Sequence, residues 1–254
     1  MRNALISIVI IGMAVVVGCI TIRGNKYASS HNISQIQAVK NTMVVIETRG
    51  KVVRYSQERD YEMEGISIAI GDGLLLAETH ATKIPERKII RGPFGYIMME
   101  QEVLEEKFYV ADVEVKLVGR HKDISLFQAP FSERYAPIPI GNSDDLDIGT
   151  DILVVGWSFG RGINVKGGIV SRFVVSSLYD PPGGTIKDIS FMISAPVNPG
   201  DSGSPVLAWN NHSRRYEIVG LVCSMIRDHG LGFAYTSNFV LEAISKIKEA
   251  VNVS

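Results

Sequence analysis

Cysteine is scarce. The 254-residue chain has two, Cys19 and Cys223. Cys19 falls inside an apolar N-terminal run, so the remainder cannot close an internal disulfide, and a disulfide-stapled secreted domain is excluded. Cys223 has no metal-binding or redox partner beside it in sequence and reads as a small strand residue. An excess of charge of one sign is also missing: 26 basic and 27 acidic residues are well mixed and give a net charge of −1. Without a basic stripe, nucleic acid is not an expected partner. Internal repeats and low-complexity tracts are absent as well. What remains is ordinary globular composition, 46% hydrophobic and 21% charged, with enough chain to bury a sizeable two-lobed core.

Only one long apolar run occurs, and it is at the start. From Ala4 to Ile22 the chain carries no charge, a length suited either to a membrane span or to an export signal. Val16-Val17-Gly18-Cys19 resembles a bacterial lipobox, which makes Cys19 a lipidation candidate; an uncleaved anchor is the equal alternative. Residues 1–24 are thus expected to be a signal peptide or membrane anchor, and polar residues 25–38 a linker. Residues 39–254 then form an extracytoplasmic domain, exported or tethered to the membrane.

From about Ile36 the signals are mostly short strands rich in β-branched and aromatic residues and punctuated by Gly, Pro, Asp or Asn. They are "MVVIETR" (43–49), "GISIAIG" (65–71), "LLLAETH" (74–80), "FYVADVEVKLVG" (108–119), "ISLFQA" (124–129), "DILVVG" (151–156), "INVKGGIVSRFVV" (163–175), "ISFMIS" (189–194), "SPVLAW" (204–209), "YEIVGLVCSM" (216–225) and "GFAYT" (232–236). Many short strands without alternating helices mean an all-β barrel or sandwich. One helix is expected at the end, 237–251, with Ser237 as its cap and Val240, Leu241, Ile244, Ile247 and Val251 on one face. Residues 98–107 read as a helical turn or an inserted loop.

Two serines stand in glycine-rich company. Gly156-Trp157-Ser158-Phe159-Gly160 fits the G-x-S-x-G nucleophile elbow of α/β-hydrolases. That elbow needs a strand, a strained turn and then a helix. Here glycines at 160, 162, 167 and 168, with β-branched residues between them, predict a loop and a strand, so Ser158 reads as part of a structural turn. Ser202 lies in "NPGDSGSPV" (198–206), where Gly200 and Gly203 allow backbone geometries closed to other residues. A loop of residues Gly200, Asp201 and Ser202 can aim successive N–H groups, those of Gly200 and Ser202, at one oxyanion.

Acyl transfer through serine also needs a base and an orienting acid. His121 is one of the five histidines; His31 and His212 are expected in polar solvated stretches, and His229 lies in a loop. His80 closes a strongly apolar strand. Asp123 heads the apolar run Ile124–Phe127, a position suited to partial burial, whereas Asp144, Asp145 and Asp147 cluster in a solvated loop.

In the order His80, Asp123, Ser202, each in its own setting, the chain resembles the chymotrypsin-fold serine proteases, most closely the HtrA/Deg branch. Glu78-Thr79-His80-Ala81 is similar to the branch's histidine segment, Asp123-Ile124-Ser125-Leu126-Phe127 to its acid strand and Asn198 to Pro205 to its N-P-G-N-S-G-G-P segment. "GWSFGRGINVKGGIVSR" and "GLGFAYTSN" resemble two further segments of the branch. The likeness spans about residues 40–250. It implies two six-stranded antiparallel β-barrels of the chymotrypsin type, about 39–135 and 136–236, with a C-terminal α-helix and an N-terminal membrane or signal helix in front. It also implies a serine endopeptidase that needs no metal or organic cofactor and acts on protein or peptide substrates. A substrate pocket of Pro196, Val197, Cys223, Ser224 and Met225 implies cleavage after small or aliphatic residues. Trimers are common in the branch, so a homo-oligomer is an open possibility. Asp201 departs from the branch's Asn and Ser204 from its second Gly. The arginine-led activation site with which the trypsin branch frees an N-terminus to pair with the residue at Asp201 is not seen, and no PDZ domain is expected. The alternative reading is a protease fold that no longer cuts and serves as a binding or scaffold module.

Overall fold

The computed structural model describes residues 30–92, 95–130, 135, 137–173, 189–226 and 231–252. Cys19, the apolar run around it and His229 lie outside them. Strands β1 (Met43–Arg54), β2 (Gln57–Gly71), β3 (Leu74–Glu78), β6 (Glu102–Val110), β7 (Val113–His121) and β8 (Ile124–Gln128) close one antiparallel barrel in the order β1-β2-β3-β8-β7-β6. A second barrel closes in the order β10-β11-β14-β13-β12-β9, from β9 (Asp151–Gly156), β10 (Asn164–Phe173), β11 (Ser190–Ile193), β12 (Pro205–Asn210), β13 (Arg215–Ile226) and β14 (Leu231–Thr236). Between β3 and β6, β4 (Arg87–Gly92) pairs with β5 (Gly95–Glu100) as a separate hairpin. The all-β class and the two six-stranded barrels are therefore as expected.

The period of two along each strand divides the apolar side chains between three cores. Ile46, Leu75, Ala77, Phe108 and Phe127 fill the first barrel, and Ile152, Val154, Phe191, Ile193 and Val206 the second. The residues in between, Ile68, Leu76, Ile124 and Leu126, meet Val155, Leu207, Leu221 and Tyr235 where the barrels face each other. β3 shows the division most clearly: all five of its residues are buried, Leu75 and Ala77 in the barrel and Leu76 in the seam. Glu78 follows Leu76 by two and shares its face. Truncating a fully buried side chain such as Phe127 is expected to cost about 3–5 kcal/mol.

Helix α3 (Ser237–Asn252) covers the seam with Phe239, Val240, Ala243, Ile244 and Ile247. Two of the expected apolar positions, Leu241 and Val251, are instead exposed. The cap is Thr236, whose Oγ1 accepts from Phe239 N–H at 3.2 Å, while Ser237 Oγ donates to Gly141 O at 2.8 Å. A side chain reaching the third helical N–H is what a cap does, so the helix begins one residue earlier in its bonding than expected.

Three further expectations change. Residues 25–38 are not all linker, because α1 (Ser30–Thr42) is helical; Ile36 and Val39 pack on the seam and Gln35 Oε1 accepts from Tyr216 N–H at 3.1 Å. Residues 98–107 belong, but for Gln101 between them, to β5 and β6 and not to a helical turn. The run 108–119 is two strands, broken at Ala111 and Asp112, both with positive φ. Among the described residues no helix is long and apolar enough to cross a membrane.

Candidate active site

β3 ends in Glu78 and passes at once into α2, a single helical turn (Thr79–Thr82) that carries His80 into the seam. Thr82 Oγ1 donates to Glu78 O at 2.9 Å and steadies that turn. Asp123 stands in the tight connection between β7 and β8, after Lys122 at φ 52°. The two segments are tied by backbone as well as side chain. Thr79 N–H donates to Asp123 O at 2.8 Å, and His80 N–H to Asp123 Oδ1 at 2.9 Å. Asp123 Oδ2 lies 2.7 Å from His80 Nδ1, and Tyr235 OH donates to the same oxygen at 3.1 Å. With Nδ1 given to Asp123, Nε2 faces the second barrel, where Ser202 Oγ is 2.9 Å away. The three residues singled out in the sequence thus form one continuous relay across the two barrels.

Ser202 lies in the loop between β11 and β12. Gly200 and Gly203 both have positive φ, 94° and 82°, and Gly203 N–H donates to Val222 O at 2.9 Å. Asp201 N–H is used internally, on Asn198 O at 3.0 Å, so Asp201 offers no oxyanion donor, contrary to its place in the expected set. Among the described residues the N–H groups of Gly200 and Ser202 have no partner, which leaves them for an incoming oxygen. The Asp201 side chain turns away from the site and is fully buried.

The electrostatics are set by two carboxylates. Burial by itself lowers the His80 imidazole, but the Asp123 hydrogen bond and the charges of Glu78 and Asp123 outweigh it and raise the pKa to about 9. Glu78 was not expected in the site. It is fully buried, its Oε2 lies 3.4 Å from His80 Nε2, and neither carboxylate oxygen has a hydrogen-bond partner among the described residues. Burial pushes its carboxyl well up, and the His80 charge pulls it back. Burial likewise pushes up the Cys223 thiol and the Tyr235 phenol, so both keep their protons at neutral pH. Donor atoms of Glu78, His80 and Asp123 all fall within 4.8 Å of one another, the spacing of a metal site. Both imidazole nitrogens are, however, already engaged with Asp123 and Ser202.

The expected pocket residues divide. Cys223 and Met225 are half-buried and Ser224 is exposed along β13, whose residues 224–226 pair only with β14 among the described strands, leaving their other edge open. Pro196 is exposed. Val197 is buried and packs into the space left by Gly232, where an added Cβ would lie 2.3 Å from Val197 Cγ2. Ser158 is no nucleophile. It is buried and donates to Asp201 at 3.0 and 3.1 Å. His121 is half-buried at the end of β7 and His212 is exposed on a turn. Sequence reasoning missed Glu78, Lys166 and Tyr235 as neighbours of the relay. For Glu78 a signal existed, a carboxylate closing an otherwise apolar strand.

Comparison with known proteins follows the same lines. A family model of the trypsin-like peptidase domain matches residues 46–214. The probable periplasmic serine endoprotease DegP-like of Pseudomonas fulva is 25% identical over 176 residues, 63% of this chain and 34% of that protein. The chloroplastic protease Do-like 2 of Arabidopsis thaliana is 27% identical over 208 residues, 79% of this chain and 30% of that one. The chain spans about a third or less of these curated relatives. Among solved structures, an HtrA-type protease AlgW with a decapeptide superposes with a TM-score of 0.59 at 19% identity, over 85% of this chain and 67% of that one. A Mycobacterium tuberculosis protease in its active form gives 0.58 at 18%, over 86% and 87%.

Proposed function

The chain belongs to the trypsin-like peptidase family, on its HtrA/Deg branch, and from that premise we propose that it hydrolyses peptide bonds as a serine endopeptidase. The observation that carries the proposal is the relay itself: Ser202 Oγ to His80 Nε2 at 2.9 Å and His80 Nδ1 to Asp123 at 2.7 Å. Ser202 Oγ attacks the scissile carbonyl carbon as His80 Nε2 takes its proton. Asp123, held by Tyr235 OH and the His80 N–H, keeps Nδ1 protonated and stabilises the imidazolium. The N–H groups of Gly200 and Ser202 receive the negative charge that develops on the carbonyl oxygen. His80 then gives its proton to the leaving amine, and water, activated by the same imidazole, releases the acyl group from Ser202.

The substrate adds as an extended strand on the open edge of β13 near Cys223, Ser224 and Met225. Val197 occupies the space beside Gly232 and the pocket holds no acid at Pro196, which favours small or aliphatic residues over Lys or Arg before the cut. The periplasmic place given for the Pseudomonas fulva relative supports an extracytoplasmic one here. The run Ala4–Ile22 would supply the tether, either through a lipidated Cys19 or as an uncleaved anchor.

The test is labelling of the full chain with a fluorophosphonate probe, followed by mapping of the adduct. A label on Ser202 that His80→Ala abolishes is expected, together with peptide cleavage that Ser202→Ala removes. A label on another serine, or cleavage that survives Ser202→Ala, would sink the proposal. Matched peptides would test the pocket, and a marked preference for Arg before the cut would refute its apolar character.

A further inference from the structure

Asp201 stands between the two N–H groups assigned to the oxyanion, yet its side chain points into the protein. Its carboxylate is completely buried, and a buried carboxylate without a cation is strongly destabilising. The cation is Lys166, delivered from β10, whose Nζ donates to Asp201 Oδ2 and, at 2.8 Å, to Ser158 Oγ. The Lys166 side chain is 12% exposed. Ser158 Oγ in turn donates to Asp201, and Asn198 N–H donates to Oδ2 at 2.8 Å.

The same cluster grips the oxyanion loop from outside. Phe159 N–H donates to Pro199 O at 2.7 Å, and a Cβ on Gly200 would lie 2.7 Å from Trp157 O. At Gly156 an added Cβ would meet Asp201 Oδ1 at 2.2 Å, so the chain leaves room there for the carboxylate. The Ser158 and Lys166 contacts therefore draw the Asp201 side chain inward while Asn198 N–H ties it to its own loop. The Ser202 N–H belongs to the peptide unit that follows residue 201, and the Gly200 N–H to the unit that enters the same loop at Pro199.

We propose that Lys166 is a built-in activating cation. Its ammonium holds Asp201 in the interior and so keeps the Gly200 and Ser202 N–H groups converged on the oxyanion, without an ammonium from a newly cut chain end. The inference rests on the serine endopeptidase reading. Lys166 does not touch substrate and is a positioning residue. Without it, Asp201 has to take up a proton or swing toward water, and either disturbs the loop that presents the Gly200 and Ser202 N–H groups.

The experiment compares the full chain with Lys166→Met, and with Lys166→Met joined to Asp201→Asn. Three readings are taken: kcat and KM on a peptide, affinity for a peptide boronate that fills the oxyanion position, and a melting curve. Lys166→Met is expected to lower kcat about 100-fold, the scale of losing one oxyanion donor. KM should stay within about threefold, and boronate affinity should fall with kcat. Adding Asp201→Asn should restore most of the lost rate, because an amide needs no cation, and this comparison decides the matter even if Lys166→Met alone does not fold. Unchanged kcat in Lys166→Met overturns the proposal. So does a doubly substituted chain that melts cooperatively yet stays as inactive as Lys166→Met. Inactivity of the unsubstituted chain would instead refute the endopeptidase reading beneath it.

Discussion

Replacing Glu78 by Gln probes a feature that a Ser-His-Asp relay does not need, a second carboxylate against the histidine. Glu78 is fully buried, with Oε2 3.4 Å from His80 Nε2. Asp123 faces the imidazole from the β7–β8 connection, and Cys223 on β13 and Tyr235 on β14, both protonated, lie near the two carboxylates. The anionic form of Glu78 stabilises imidazolium, and a base works only when neutral. The His80 value of about 9 therefore places the acid limb of activity on the alkaline side. When Glu78 is anionic beside the imidazolium, the charge that the substitution removes acts across 3.4 Å, worth about 1.2 kcal/mol at a dielectric of ~80 and about 5 kcal/mol at ~20. The His80 side chain is 44% exposed, so the weaker end governs. The limb should move to lower pH by about 1–2 units, at ~1.36 kcal/mol per unit. The two groups share protons, so the limb belongs to the pair in the parent chain and to His80 alone in the variant. The assay is kcat/KM against pH, which reports groups of the free enzyme. Superimposable profiles would refute the reasoning, and so would a shift of the variant's limb to higher pH.

Two other expectations concern stability. The folded protein holds the His80 proton up to about 9, against 6.5 for the ordinary imidazole. Folding therefore takes up protons: the contribution is fully present below about 6.5 and is lost as pH rises through about 9. Melting temperature should fall across that window, and His80→Gln should flatten the fall; a parent melting curve that rises with pH there would contradict the assignment. Gly156→Ala drives a methyl group to within 2.2 Å of Asp201 Oδ1. It should cost about 1–3 kcal/mol or more in a denaturation curve and lower kcat, since the displaced carboxylate carries the oxyanion loop with it. A variant as stable and as active as the parent would show that the Asp201 side chain is free to move.

How far the sequence is legible depends on whether a signal is local. β8, β9 and β12 are short apolar runs between turn residues and lie where their patterns put them, whereas β3 stops at Glu78, two residues short of the expected end, and His80 stands in the helical turn that follows. The break at Ala111-Asp112 escapes, because both residues take positive φ without the Gly or Asn that announces such a turn. α1 escapes because its residues are largely polar and its support comes from β13, far along the chain. The β4–β5 hairpin belongs to neither barrel, and its stretch carries no alternation with an obvious inside. The relay is legible for a related reason. His80, Asp123 and Ser202 each stand within three residues of a short apolar strand, which is a local property. Their supports are not local: Lys166 is a strand lysine whose partner lies 35 positions further on, and Tyr235 reaches Asp123 across 112. The G-x-S-x-G match shows the cost of reading a site from spacing alone. Two of its fixed positions serve Asp201 and the third serves the turn. Gly156 leaves room for the carboxylate, Ser158 donates to it, and Gly160 takes a φ of 66° at the end of the turn. The pattern is thus the imprint of a cradle behind the oxyanion loop, which explains why a segment that resembles a nucleophile elbow lies against the reactive centre without supplying its nucleophile.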